Sequence, residues 1–535
     1  MSELLNTEDA VGLVGEYLTE SQPFGPIDAS VINPKHRDVI RALFDVQNRS
    51  YEALRGRPTV IMGRRGSGKT ACLRSLYFDR RYPIVIELKS STAFANVIRQ
   101  IEGSVPGSSF PEAISDLWET LFYCALFSRL VNEHSRADSG LGKVRDYLAK
   151  VGVREQRTAD EVLWTVVETL SDKLAHSSVG VFAEVLRKTA GTSFDEAREA
   201  ATTFMRQRRL AAVVLLDSLD EYPLHSDCVS NTLKGLLKCV GQFNSPGKVL
   251  DARFCLPTEL YHGFMDISSN PLKDFEHRVV LHWHAKELLS IAVHRLLLFL
   301  RARYPDAFAK VRHLNPDHYA DALALFYSVF PKTLRNALGV EEQTFPYILR
   351  HTQLLPRHLL MYLNSIYGGA IQETLYGEPT IDEVRIRAGV SAKENQLCGE
   401  IFSAYSVSHP AARRVCERCI PALPFRFDVG SLHEVFNKHG KKAMGTDDFA
   451  DFKRMLIEIG VVGRVLGETE RYVTGLFEYT VPHRLVTSTE DELCLHPVFL
   501  KVFSAKKPPP GGMRKTVYPF GTDADGRDYR DWNIE

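Results

Sequence analysis

Two uninterrupted apolar runs, each ending in residues that a core would not bury, frame this chain. Pro58-Thr59-Val60-Ile61-Met62 and Ala211-Ala212-Val213-Val214-Leu215-Leu216 lack polar alternation, the pattern of strands covered on both faces of a parallel sheet. Tyr82–Leu88, Lys248–Leu256 and His277–Trp283 read as further strands. Between them the period changes to helical. Lys35–Leu54 and Thr70–Tyr77 carry apolar residues at helical spacing, as does Phe110–Val131 through Leu117, Leu121, Leu126 and Leu130. Strand–helix alternation predicts an α/β sheet with helices on both faces, interrupted by a long helical insertion over about 95–205. Residues 285–368 read as predominantly helical. Gly368-Gly369 and Gly377-Glu378-Pro379 then suggest a boundary. Helices follow over 391–405, 410–419, 430–436 and 446–459, and strands over 461–465, 471–479 and 492–499.

The first strand runs into Gly63-Arg64-Arg65-Gly66-Ser67-Gly68-Lys69-Thr70, the full G-x-x-x-x-G-K-[ST] pattern of a phosphate-binding loop. The glycines allow a tight turn whose N–H groups converge on phosphate oxygens at the start of a helix. Lys69 would reach the β- and γ-phosphates, and Thr70 would ligate Mg²⁺. A Mg²⁺ site needs a second protein oxygen, expected on a neighbouring strand. Asp217, ending the 211–216 run, is the candidate. Asp220 and Glu221 follow it, where a carboxylate can orient or deprotonate an attacking water. After the next strand, Thr258 or Glu259 stands where similar nucleotide-sensing ATPases carry a polar residue that reads the γ-phosphate, and that likeness makes either one a candidate.

Composition narrows the picture only modestly. With 66 Lys plus Arg and 66 Asp plus Glu among 535 residues, the formal net charge is zero, so nucleic-acid contact requires a local basic patch. Lys438, Lys441, Lys442 and Lys453 offer one, which a solvated face explains equally well. Nine cysteines are scattered apart from Cys416 and Cys419, read as helix-spaced core or surface thiols. No signal peptide or membrane-crossing run is evident, and a cytoplasmic protein is expected. From Lys506 the chain is rich in Pro, Gly and charge. This segment reads as a tail, either disordered or docking through Tyr518, Phe520, Tyr529 and Trp532.

The phosphate loop, the strand ending in Asp-Ser-Leu-Asp-Glu, and a V-x-L-x-W-x-x-x-E-L-L segment followed by Arg295 together resemble bacterial P-loop ATPases of the STAND and AAA+-related kind. Leu355-Pro356-Arg357-His358-Leu359 strengthens the resemblance, which implies that Arg357 is a lid arginine facing the nucleotide. Ser218 stands where conventional AAA+ enzymes place the catalytic Glu, so the base falls to Glu221 or Asp220, and Pro257-Thr258-Glu259 departs from the Arg-Ser-Asp of many relatives. The resemblance also implies a C-terminal winged helix, which can grip DNA or a protein partner. The expected order is an N-terminal extension (1–34), a P-loop core (35–285), a helical lid (286–375), a winged-helix-like domain (376–505) and a flexible tail (506–535). The expected function is an ATP-hydrolysing, Mg²⁺-dependent switch that self-assembles or activates a separate effector protein. Defence against phage is a setting drawn from the resemblance alone. The alternative is a DNA-dependent ATPase similar to origin-recognition and helicase-loading proteins.

Overall fold

The computed structural model describes residues 8–33, 36–44, 54, 58–89, 110–134, 139–153, 158–175, 182–217, 227–243, 248–260, 277–373, 381–470, 472–480, 485–506 and 515–519. Two compact units emerge. A sheet unit comprises Asn48–Arg64 and Lys69–Leu281, and a second, mainly helical unit comprises Met1–Gln47, Arg65–Gly68 and His282–Glu535. The helices α1 (Glu8–Tyr17) and α2 (Arg37–Phe44) open the helical unit before the chain enters the sheet.

The sheet unit contains β1 (Val60–Gly63), α3 (Lys69–Arg74), β2 (Ile84–Lys89) and the insertion helices α4 (Phe110–Glu133), α5 (Gly142–Lys150), α6 (Ala159–Ala175) and α7 (Phe182–Gln207). It continues with β3 (Ala212–Asp217), α8 (Asp227–Phe243), β4 (Leu250–Pro257) and β5 (Arg278–Leu281). The strands are parallel in the order β2-β3-β4-β1-β5. Strand parity divides the core. Val60, Met62, Val214 and Leu216 pack in one cluster with Trp118, Phe122 and Phe127 of α4. Ile61, Val213, Leu215 and Cys255 pack in another with Cys72 and Leu73 of α3. This is the expected α/β P-loop architecture, with one departure. The Asp217 strand is not the neighbour of β1, because β4 lies between them.

The helical unit resumes with α9 (Ala285–Arg303), α10 (Pro305–Val311), α11 (Tyr319–Tyr327), a hairpin of β6 (Thr333–Arg335) and β7 (Glu341–Gln343), α12 (Thr344–Arg350), α13 (Pro356–Glu373) and α14 (Glu383–Ala404). Gly368 and Gly369 lie inside α13, and Gly377-Glu378-Pro379, the other half of the suggested boundary, lies outside the described residues. Then come α15 (Ala412–Cys419), β8 (Arg426–Asp428), α16 (Val429–Val435), a π-turn over Phe436–Gly440, α17 (Lys441–Met444) and α18 (Phe449–Glu458). They are followed by β9 (Val462–Glu468), β10 (Tyr472–Leu476), β11 (Glu492–Leu495), α19 (Pro497–Val502) and β12 (Thr516–Tyr518). The strands form a mixed sheet in the order β12-β10-β9-β11-β8. Helix α15, strand β8, helices α16–α18 and an antiparallel β9–β10 hairpin succeed one another along this stretch.

The supposed tail is therefore structured in part. Strand β12 pairs parallel with β10, and the Tyr518 hydroxyl donates to Glu342 Oε2 at 2.5 Å. Phe520, Tyr529 and Trp532 lie outside the described residues. Glu342 also faces Arg350 (Nε to Oε2, 3.0 Å) and Asn336 (2.5 Å), all buried, so Arg350 is a buried ion-pair partner. Burial alone would raise the Glu342 pKa, but Arg350 and the bonds from Tyr518 and Asn336 override it and hold the carboxyl below its ordinary 4.5. This stabilisation is present above about pH 4.5 and is lost as pH falls through the lower folded-state value. Arg350→Met should strand the Glu342 charge and destabilise the helical unit by about 3–5 kcal/mol at neutral pH, read from urea midpoints. If the midpoint does not move, the pair is not a stabilising element.

Candidate functional site

Within the sheet unit, the site grows from the carboxyl ends of β1, β3 and β4. Parallel register sets Gly63 opposite Pro257, and Leu216 opposite Phe254, so Asp217 and Thr258 emerge at the same edge of the sheet as the loop. Asp217 follows Val213 and Leu215 at two-residue spacing, which puts it on the face covered by α3. There it accepts a hydrogen bond from Thr70 Oγ1 at 2.5 Å, made across the intervening β4 because Thr70 sits on α3. The Cys255 thiol, on β4 and the same face, also hydrogen-bonds Asp217. Burial first, and then the Asp217 charge, pushes this thiol well above its ordinary pKa, so it stays a neutral donor. Lys69 Nζ donates to the Gly63 and Arg64 carbonyls at 3.0 and 3.1 Å, folding its chain along the loop.

The loop tip, Arg65–Gly68, belongs to the helical unit. Gly66 and Gly68 have φ of 89° and 92°, a region that side chains rarely enter. Gly66 has a second constraint: a Cβ there would lie 3.0 Å from Arg357 Cβ, and the Arg357 N–H faces the Gly66 carbonyl at 3.4 Å. Trp283 Nε1 donates to the Ser67 carbonyl at 2.8 Å, and an Arg65 guanidinium N–H reaches Ser403 Oγ at 3.4 Å. Arg357, at the start of α13, pairs with Asp28 at 3.3 Å. Among the described residues of the loop tip and its surroundings, Ser67 Oγ and Arg357 Nε are buried with no hydrogen-bond partner. A buried donor of this kind is unsatisfied until an acceptor reaches it.

These contacts gather Gly63, Arg64, Lys69, Thr70 and Asp217 in one unit, and Arg65, Gly66, Ser67, Gly68 and Arg357 in the other. Asp220 and Glu221 lie outside the described residues. Thr258 Oγ1 and Glu259 Oε2 are 3.5 Å apart on the short turn after β4. Two carboxylate or hydroxyl oxygens side by side, Asp217 and Thr70, suit a hard cation that keeps waters, as Mg²⁺ does. No cluster of three or more His, Cys, Asp or Glu that would make an all-protein metal cage exists among the described residues. Trp283, Asp28 and Cys255 were not singled out from sequence as site residues. Trp283 is the tryptophan of the V-x-L-x-W segment, to which no role was attached, while only the tertiary contacts reveal Asp28 and Cys255.

No family model matches this chain, and no curated protein does. Among solved structures, it is similar to the Aeropyrum pernix ORC2 protein in its ADPNP–ADP complexes, at 12% identity and a TM-score of 0.40, over 89% of this chain and 96% of that one. So distant a likeness adds nothing to the chemistry, which rests on the chain's own residues.

The two positive-φ glycines should respond differently to alanine. Gly68→Ala meets open space and should cost only the backbone term, about 1–2 kcal/mol. Gly66→Ala adds the clash with Arg357, should cost more, and should be partly rescued by Arg357→Gly. Thermal melts of the four variants, the double included, check this. Equal losses at both glycines would show that Arg357 does not crowd the loop.

Proposed function

We propose that this protein is a Mg²⁺-dependent ATP-binding switch that hydrolyses ATP and changes its assembly with itself or with an effector protein. The contact of the Thr70 hydroxyl with the Asp217 carboxylate at 2.5 Å carries the reading, because it supplies two metal-side oxygens next to a complete phosphate loop. Loop N–H groups from Gly63 to Thr70 bind phosphate oxygens, and Lys69 leaves the two carbonyls for the β- and γ-phosphates. Bound Mg²⁺ would neutralise charge on the β- and γ-oxygens. Thr70 and Asp217 hold its position. Glu221, with Asp220 as the alternative, takes the proton from the attacking water. Arg357, whose backbone already meets Gly66, supplies positive charge to the terminal phosphate.

Wild type, Lys69→Ala and Glu221→Gln should be compared with and without Mg²⁺-ATP and duplex DNA. Lys69→Ala should lose ATP affinity by at least tenfold, as expected when a charged phosphate contact worth ~1.5–3 kcal/mol goes. Glu221→Gln should bind normally, turn over roughly 10²–10⁴-fold more slowly, and assemble with ATP in light scattering. Assembly that ignores nucleotide, together with turnover strongly raised by DNA and abolished by Lys438→Ala, Lys441→Ala and Lys442→Ala, would replace the switch with a DNA-dependent ATPase.

A further inference from the structure

Arg357 is held between two claims on its charge. Its main-chain N–H and its side-chain stem lie against Gly66, while Nη2 donates to Asp28 Oδ2 at 3.3 Å. Nε is buried and has no hydrogen-bond partner, so the Asp28 contact satisfies the guanidinium only in part.

Asp28 is not there by chance drift of a terminal segment. The stretch that carries it is fixed by two polar side chains of the helical unit. The Arg295 guanidinium, fully buried on α9, donates to the carbonyls of Phe24 (2.7 Å), Pro26 (2.8 Å) and Leu43 (3.1 Å). Asn364, two turns along α13 from Arg357, accepts from the Phe24 N–H at 2.7 Å and donates to the Gly25 carbonyl at 3.0 Å. Asp28 itself caps the short helix Ala29–Val31, its Oδ1 accepting from the Ser30 N–H at 2.8 Å. One carboxylate oxygen is thus committed to the cap and the other to Arg357. The helix α13 presents both the arginine and the asparagine that sets the height of its acidic partner.

We propose that Asp28 competes with the terminal phosphate for Arg357 and thereby sets how strongly the site distinguishes a nucleoside triphosphate from a diphosphate. The proposal rests on the phosphate-binding reading of the loop. A guanidinium shared with a carboxylate is withheld from a phosphate until the phosphate outbids the carboxylate. Asp28 is a specificity-setting counter-residue that meets the arginine and not the nucleotide.

The test uses Asp28→Asn in the full chain, because asparagine keeps the helix cap while removing the charge. Affinities for fluorescent mant-ATP and mant-ADP are measured for wild type, Asp28→Asn, Arg357→Gln, the double variant and Lys69→Ala. Asp28→Asn should tighten the triphosphate about threefold, the size of a partly exposed ion pair, and leave the diphosphate unchanged. The gain should vanish in the Arg357→Gln background. Asp28→Ser, also a neutral cap, should reproduce it and guards against a folding defect peculiar to asparagine. An unchanged or weakened triphosphate affinity, an equal effect on both nucleotides, or a gain that survives Arg357→Gln would overturn the proposal. If Lys69→Ala binds both nucleotides as wild type does, the loop reading fails and this proposal with it. If Lys69→Ala loses binding while Asp28→Asn changes nothing, only the competition is wrong.

Discussion

A strand buried on both faces and hydrogen-bonded along both edges can present chemistry only at its ends, and β1 is such a strand. Its four residues are buried and pair with β4 on one side and β5 on the other. Everything polar must therefore happen beyond Gly63. With β4 interposed, β3 lies two strand spacings from β1, about 10 Å, too far for a loop residue to reach its end directly. The contact is made instead by Thr70, which rides α3 across the sheet face. Parity completes the arrangement. Because side chains alternate, shifting Asp217 by one residue would turn it toward the cluster beneath α4 and away from Thr70.

The helical unit solves a different problem, which is to hold a short loop in an uncommon backbone conformation. It does so chiefly through main-chain atoms. Trp283 takes the Ser67 carbonyl and Arg357 faces the Gly66 carbonyl, so both of these contacts use loop carbonyls. The same device recurs at the N-terminal stretch, where Arg295 is satisfied by carbonyls rather than by a carboxylate. A buried cation met by dipoles fixes a segment without cancelling its charge against an acid that could titrate.

How much of this was legible in the sequence follows from the separation of the partners. The phosphate loop is eight consecutive residues with a known mechanical meaning, and the Asp217 strand announces itself by an unbroken apolar run, so both the sheet and its chemical edge could be read. The place of β4 between β1 and β3 could not, since strand order is set by crossovers that leave no local pattern. Asp28 and Gly66 meet Arg357 across roughly three hundred residues, which no spacing rule spans. Strand β12 was hidden for a related reason. Three residues in a Pro- and Gly-rich stretch have no period to recognise, and they become a strand because β10 offers an edge and Glu342 a buried acceptor for Tyr518. The β6–β7 hairpin was likewise overlooked inside a stretch read as helical, its strands being only three residues each.

The C-terminal lysines illustrate a reading that depends on neighbours more than on composition. Lys441 lies 3.3 Å from Asp447, Lys438 3.9 Å from Glu434, and Arg454 pairs with Asp451. Exposed pairs of this kind are weak and would yield to a phosphate, so pairing alone does not decide the partner. The local charge balance is more telling. Over the stretch from α16 to α18, Lys438, Lys441, Lys442, Lys453 and Arg454 stand against Glu434, Asp447, Asp448, Asp451 and Glu458, five charges of each sign. At the β9–β10 hairpin, Glu468 contacts both Arg426 and Lys515. Duplex binding draws most of its affinity from uncompensated cations that release counterions, and steering needs a field of one sign. A surface with both signs interleaved generates neither at the range of a Debye length, while it can match a protein surface of complementary pattern residue by residue. The balance of charge along this stretch therefore leaves no net basic field of the kind that duplex binding draws on.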